Sequence, residues 1–367
     1  MFGSTYGNIF KISTWGESHG KGIGVVVDGC PAGLSLSEED IQRYLDRRKP
    51  GQNKYATPRK ESDSVVIMSG IFQGKTTGTP ISMMILNKTQ RSEDYDEIAS
   101  YYRPGHADYT FDMKYGFRDP RGGGRASGRE TIGRTAAGAI AAKILKELGI
   151  EVLAYTKSIG NIDCDMSIFD EEEINNNPLK MPDANAAKKA RAYLDQCIEE
   201  ENSTGGVVEC IVKHCPPGIG EPVFEKLDAN LAKAIMSLGA VKAVEIGAGT
   251  QVAKSTGQEN NDSFYIEDGK MKKRTNHAGG ILGGLSDGSD IVIRASIKPT
   301  SSIASLQQTV NKKGEHIEIN IQGRHDPIIV PRAVVVIESM AAITVLDMLL
   351  ASMTSRMDKI KEFFVRS

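Results

Sequence analysis

Residues 118–134, RDPRGGGRASGRETIGR, set five arginines around three consecutive glycines and run on into an alanine-rich stretch. Gly122, Gly123 and Gly124 have no side chains, so the backbone must turn there and its N–H groups can approach a ligand closely. Ser127 and Glu130 have the spacing of a capping box, which predicts a helix from Ser127 to Leu148, stopped by Gly149. The first amides of such a helix carry partial positive charge, and Arg121, Arg125 and Arg129 stand beside them. Phosphate or carboxylate should collect at this point. A solvated basic surface loop is the plainer alternative.

The formal net charge of 367 residues is −2, so no global field draws the chain to nucleic acid or to an anionic membrane. Any anion site must therefore be local. Arg43, Arg47, Arg48, Lys49, Lys54, Arg59 and Lys60 form a basic run, and Asp163 to Glu201 is rich in acids. The five cysteines include no C-x-x-C pair, which predicts reduced structural thiols. No charged-then-apolar leader follows Met1, and the apolar segment Val334 to Met353 is broken by Glu338 and Asp347. A cytoplasmic protein that does not span a membrane is expected.

Helices and strands alternate without a Pro/Ser-rich linker, so a single domain over residues 1–367 is expected. The patterning predicts a helix over Ser37 to Arg48, a hairpin over Ser64 to Leu86 and a strand over Glu151 to Tyr155. A helix over Phe224 to Leu238, stopped by Gly239, and a strand over Val241 to Ile246 repeat the helix–glycine–strand order of 127–155. That order hints at an internal pseudo-repeat. Val207 to Val212, Ile291 to Ile297 and His316 to Ile321 alternate apolar and polar residues, the mark of antiparallel sheets with one covered face. An α+β sandwich is the expected class.

Several motifs fail on spacing. Gly70 to Thr76 is one residue short of a P-loop and runs on into a strand. Gly20 to Gly24 lacks the dinucleotide-binding glycine pattern. Asp163 to Asp165 opens no calcium loop, because Ile168 and Ile174 stand where glycine and glutamate are required. No metal site is expected.

Glycine-flanked loops with reactive side chains remain. Trp15 to Gly20 holds Glu17, Ser18 and His19; Arg103 to Asp108 holds His106; Arg324 to Pro327 holds His325 and Asp326. A single such histidine could merely bond a turn. Three loops combining His with Arg, Asp or Glu suggest proton transfer near neutral pH on an anionic ligand. Asn276 to Gly284 and Lys298 to Ser302 add backbone and hydroxyl donors, with tight sheet corners as the alternative.

From end to end the chain resembles the chorismate synthase family. The matching pieces are GESHGKGIGVVVDGCPAG from Gly16, DRRKPG from Asp46, RPGHAD from Arg103, DPRGGGRASGRETIGR, AVKAVEIGAG from Ala240, HAGGILGG, KPTSS and RHDPIIVPRA. The resemblance implies a β-α-β sandwich with helices between antiparallel sheets. It implies conversion of 5-enolpyruvylshikimate 3-phosphate to chorismate by 1,4-elimination of phosphate, dependent on reduced FMN.

By the same resemblance His19 protonates the departing phosphate, His106 acts on the reduced flavin, and Asp326 assists proton removal. FMN is implied at Arg125, Ala126, Ser127, Gly239, Ala240, Gly283, Lys298, Pro299, Thr300, Ser301, Ser302 and Arg324. Arg48, Arg103, Arg129 and Arg324 are implied around substrate, and Arg48 and Lys54 match positions linked to NADPH in some members. Ala126 replaces a frequent serine and Gly239 a frequent asparagine. A homotetramer with externally reduced flavin and no nucleic-acid or membrane partner is the expectation. A non-catalytic polyanion-binding protein and a flavoprotein oxidoreductase are the competing classes.

Overall fold

The computed structural model describes residues 3–56, 61–87, 97–321 and 326–365. One five-stranded antiparallel sheet contains β1 (Thr5–Tyr6), β2 (Lys11–Gly16), β3 (Gly22–Asp28), β4 (Val65–Ile67) and β5 (Ile81–Leu86), in the order β1-β2-β3-β5-β4. A second contains β6 (Glu151–Ile159), β7 (Ile162–Asp163), β8 (Gly206–Lys213), β9 (Val241–Ile246) and β10 (Ile291–Ile297), in the order β9-β10-β8-β6-β7.

The helices that matter for the site are α1 (Glu38–Arg48), α2 (Asp108–Tyr115), α3 (Thr131–Glu147), α4 (Ala184–Glu199), α5 (Leu227–Met236) and α6 (Val330–Ser352). α1 and α3 cover the first sheet, α5 and α6 cover the second, and α3 packs along α6 between them. The result is the expected α+β sandwich, with a main hydrophobic core running from Phe10 to Met348 and a small second cluster of Ile98, Tyr101, Ile319 and Ile321.

Small residues let the two central helices approach. A Cβ on Gly138 of α3 would lie 2.2 Å from Ser339 Cβ on α6, so any larger residue would force the helices apart. α6 is long and apolar enough to cross a membrane, but 83% of its most apolar window is buried inside this fold. The two acids that interrupt it have partners. Glu338 takes a bidentate pair from Arg47 at 2.7 Å, and Asp347 accepts the backbone N–H groups of Asn8, Ile9 and Phe10.

Some boundaries differ from the sequence expectation. Two short 3-10 turns, Gly124–Ala126 and Gly128–Glu130, precede α3, which starts at Thr131 and not at Ser127. Ser127 Oγ accepts from the Arg129 N–H, and Glu130 turns to Arg134, so no capping box forms. The expected hairpin over 64–86 is two nested ones: β4 with β5, and Ile71–Phe72 with Lys75–Thr76. After α5 the left-handed residue is Ala240, at φ 71, and not Gly239. The two helix–glycine–strand units both deliver their strands, β6 and β9, to the second sheet. His316–Ile319 pairs with Gln307–Val310 outside both large sheets.

Candidate active site

Three helix ends and three loops meet at one end of the sandwich. The last residue of α1, the approach to α3 and the start of α6 line a cavity of about 1640 Å³, joined by residues 103–108, 237–241 and 297–302. Single small-ligand pockets run to roughly 300–1,000 Å³, so this one has room for two ligands. Eight cationic side chains face four carboxylates among its described lining residues.

His19 reaches this space from the turn between β2 and β3. Ser18 Oγ lies 3.1 Å from its Nδ1 and 3.1 Å from the Gly122 carbonyl oxygen. The hydroxyl has one proton, so donation to Gly122 leaves it accepting from Nδ1–H. Gly122 has φ 62, and a Cβ there would fall 2.1 Å from His19 Cε1. The first glycine of the triple run is thus the floor under the imidazole. The Arg121 hydrogen bond and, more weakly, the His19 charge hold the Asp119 carboxyl below its usual range.

His106 is built differently. Its Nδ1 lies 3.0 Å from the Pro104 carbonyl oxygen, which can only accept, so Nδ1 carries the proton. Nε2 then accepts from the Ser302 hydroxyl at 2.9 Å. Burial, reinforced by the Arg103 charge, lowers the pKa of this ring and keeps it neutral. The Lys298–Ser302 loop is fastened to the same turn: Lys298 Nζ donates to the Gly105 carbonyl oxygen at 2.8 Å, and Ser301 Oγ does so at 3.1 Å.

The arginines fall into two buried groups. Arg103 makes a two-point pair with Asp108, at 2.8 Å each, and Arg118 lies 3.8 Å from the same carboxylate. Arg48 and Arg129 share Asp63, at 2.8 and 3.0 Å. Arg48 Nε, Arg118 Nε and Nη1, and Arg129 Nη2 are buried with no hydrogen-bond partner among the described residues. A buried unmet donor costs about 1–3 kcal/mol, more when charged, so these atoms call for anionic acceptors. Arg332 links the start of α6 to the group: Nη1 donates to Asp326 Oδ2 at 3.0 Å, and Nε donates to the Arg48 carbonyl oxygen.

The cavity therefore gathers His19, His106, Asp326, Arg48, Arg103, Arg129, Arg125, Ala126 and Ser127. Gly239, Ala240 and Lys298, Pro299, Thr300, Ser301 and Ser302 also line it. Arg125 bonds the Thr14 and Gly16 carbonyls of β2. Gly283 does not line it; it lies in the exposed turn between Ile281–Leu282 and Leu285–Ser286. Lys54 is also outside, paired with Asp195 of α4 at 2.7 Å and 62% exposed. Arg121, expected at the helix amides, is exposed and held by Asp119. Arg324 and His325 lie outside the described residues.

Sequence reasoning did not single out Arg118, Arg134 and Arg332 as ligands, although all three line the cavity and two belong to the 118–134 run. Nor did it find Asp63, Ser18's bond to His19 or Ser302's bond to His106. Within the basic run 43–60, Arg43 pairs with Asp40, Arg47 with Glu338 and Lys49 with Asp46, while Arg59 and Lys60 lie outside the described residues.

Similarity to known proteins agrees with this geometry. The family model for chorismate synthase matches residues 10–350. A chorismate synthase of Lachnoclostridium phytofermentans is 67% identical over 365 residues, 99% of this chain and 100% of that protein. One from the archaeon Methanococcoides burtonii is 54% identical over 355 residues, covering 96% and 97%. A chorismate synthase crystal structure superposes with a TM-score of 0.75 at 31% identity, covering 98% of this chain and 97% of the other. The chain belongs to the chorismate synthase family of carbon–oxygen lyases.

Proposed function

We propose that this chain converts 5-enolpyruvylshikimate 3-phosphate to chorismate and phosphate, with reduced FMN bound beside the substrate in the 1640 Å³ cavity. The observation that carries the reading is the meeting of two histidines and an excess of arginine in one space large enough for two anionic ligands. The substrate has a phosphate and two carboxylates and the flavin has a further phosphate, which suits buried guanidinium donors that make no hydrogen bond among the described residues.

In this reading Arg48, Arg103 and Arg129, with Arg324, hold the substrate anions. Arg125 to Ser127, Gly239, Ala240 and Lys298 to Ser302, with Arg324, hold FMN, and Gly283, outside the cavity, is left out of this set. The contacts at Ala126 and Gly239 are then backbone contacts, because neither side chain offers a donor. Reduced FMN, when bound, supplies electron density as the C–O bond to phosphate breaks and recovers it as the C6 hydrogen leaves.

His19 protonates the departing phosphate, aimed by Ser18 and by the bare backbone of Gly122. His106, a neutral ring whose tautomer Pro104 fixes, would act on the reduced flavin. Asp326, oriented by Arg332, assists removal of the C6 proton. The same reading makes the chain one domain, a cytoplasmic homotetramer, and independent of NADPH when its flavin arrives reduced.

The test is anaerobic incubation with 5-enolpyruvylshikimate 3-phosphate and chemically reduced FMN, with NADPH left out. Chorismate and phosphate should form in equal amounts while the flavin stays reduced. Stoichiometric oxidation of the flavin would indicate an oxidoreductase, and no product with or without NADPH would remove the assignment.

A further inference from the structure

Asp63 does not line the cavity, and its side chain has no exposure, yet both its oxygens are spent on cavity arginines. Oδ2 takes Arg48 Nη2 at 2.8 Å and Oδ1 takes Arg129 Nη1 at 3.0 Å. The other fixtures complete two rigid brackets. Arg48 Nη1 lies 3.3 Å from the Gly128 carbonyl oxygen and from Thr131 Oγ1, while Arg129 Nε donates to Asn87 Oδ1 at 2.6 Å. Arg48 Nε and Arg129 Nη2 have no hydrogen bond among the described residues, Glu61 Oε2 standing 3.9 Å from the latter.

Asp63 holds both guanidiniums by direct hydrogen bonds in a place with little water, while the second buried carboxylate, Glu61, lies 3.9 Å from Arg129 Nη2 and leaves that donor free to turn toward a ligand. Burial would raise the Asp63 carboxyl, but Arg48 and Arg129 outweigh it and hold it ionised below the ordinary carboxylate range. Burial pulls Arg48 down to about 10 despite Asp63, and repulsion from Arg332 and Arg129 adds to it. An anion entering the cavity relieves that repulsion. Asp63 also sits at φ 45, a left-handed conformation that few residues other than Gly, Asn and Asp adopt without strain.

We propose that Asp63 is the positioning residue that sets the spacing of Arg48 and Arg129 so that both guanidiniums converge on one anionic group of the substrate. This rests on the reading of the cavity as the substrate site. Asp63 acts through the arginines and touches neither substrate nor flavin. Replacing it by Asn keeps the shape and the backbone preference, but one oxygen becomes an amide whose N–H points at a guanidinium donor. One arginine must then swing away.

The experiment measures binding of 5-enolpyruvylshikimate 3-phosphate by calorimetry to the FMN-loaded full chain, with FMN affinity and the thermal midpoint measured in parallel. Asp63→Asn is expected to weaken substrate binding about tenfold to a hundredfold, the range of one charged hydrogen bond, with FMN affinity unchanged. In an Arg129→Ala background the same change should cost less than about threefold, because the Asn oxygen can then face Arg48, no second donor opposes its N–H, and no spacing between two guanidiniums is left to set. Asp63→Ser, which removes the carboxylate without opposing a donor to a donor, replaces the Asn variant if that one does not fold.

Wild-type substrate affinity in either Asp63 variant, or effects that multiply fully with Arg129→Ala, would overturn the proposal. So would equal losses of substrate and FMN binding, the mark of a merely structural role. If Arg48→Ala and Arg129→Ala themselves bind substrate normally, the substrate reading of the cavity has failed, which is a different result from Asp63 alone having no effect.

Discussion

The two histidine loops are both pinned by glycine and hydroxyl groups, but they hold their imidazoles differently. His106 has both ring nitrogens engaged, by Pro104 and Ser302, and burial beside Arg103 keeps it neutral. His19 gives Nδ1 to Ser18, rests against bare glycine backbone, and lies close enough to Asp119 to help hold that carboxyl ionised. A neutral, doubly anchored ring is suited to fixing geometry. A ring seated on bare backbone at the cavity wall, with Nδ1–H given to a hydroxyl, is suited to meeting a leaving group. The same residue type is thus assigned opposite tasks by what its two nitrogens meet.

The strongest way to break this comparison is to replace each histidine in turn. His19→Asn should lower turnover on prereduced FMN by about 10²–10⁴-fold, the usual contribution of a general acid, with substrate binding little changed. His106→Gln should lose less, because a glutamine amide can keep one of its two anchors. Equal losses in the two variants would erase the distinction drawn between the rings.

Gly122→Ala sharpens it by moving His19 without altering it. The new methyl would lie 2.1 Å from Cε1 and 2.2 Å from Nδ1, at a φ of 62 that L-residues with a Cβ resist. A displacement on the order of 1 Å can cost about a hundredfold in rate, so turnover should fall by that order. Turnover near wild type, measured beside an unchanged thermal midpoint, would mean that His19 has no fixed place in the chemistry.

The neutral state of His106 has a pH signature. Its folded pKa lies below the unfolded value of about 6.5, so protonation favours the unfolded chain. Its contribution to stability is intact above that pH and is lost as pH falls through it. Arg103 and Lys298 oppose protonation, and Asp108 partly offsets them. Urea midpoints at pH 7.5 and 5.5 should therefore drop further for wild type than for His106→Gln. Parallel drops would show that the ring's charge is unconstrained.

These loops were legible in the sequence because glycine and proline around His, Arg and Asp have few purposes other than a shaped, exposed backbone. The layers were legible from the alternation in 207–212 and 291–297 and from the alanine-rich run. The start of α3 was misplaced because the three glycines and Gly128 shorten the approach into 3-10 turns, which local capping rules do not anticipate. Asp63 gave no local signal: a lone aspartate between serines has no period, and its meaning arises only when residues 15 and 66 positions away fold against it. The Ser302–His106 bond spans 196 positions and is invisible for the same reason. Sequence exposes what local chemistry demands, and packing decides which of those demands meet.

The smallest expected effect separates two residues that resemblance assigns together to NADPH. Arg48 is 3% exposed and locked between Asp63, Gly128 and Thr131 in the cavity, whereas Lys54 is 62% exposed on an ion pair with Asp195 of α4. Exposed pairs contribute little, since water screens them and two long side chains must be held still. Lys54→Ala should therefore leave the thermal midpoint and chorismate formation on prereduced FMN unchanged. Lys54 also rests over the Tyr55 ring, at 4.9 Å, an arrangement that fixes it on the outer surface. A fall of more than about threefold in turnover would require the segment carrying Lys54 to close over the cavity during the reaction, and would join the two basic positions into one site.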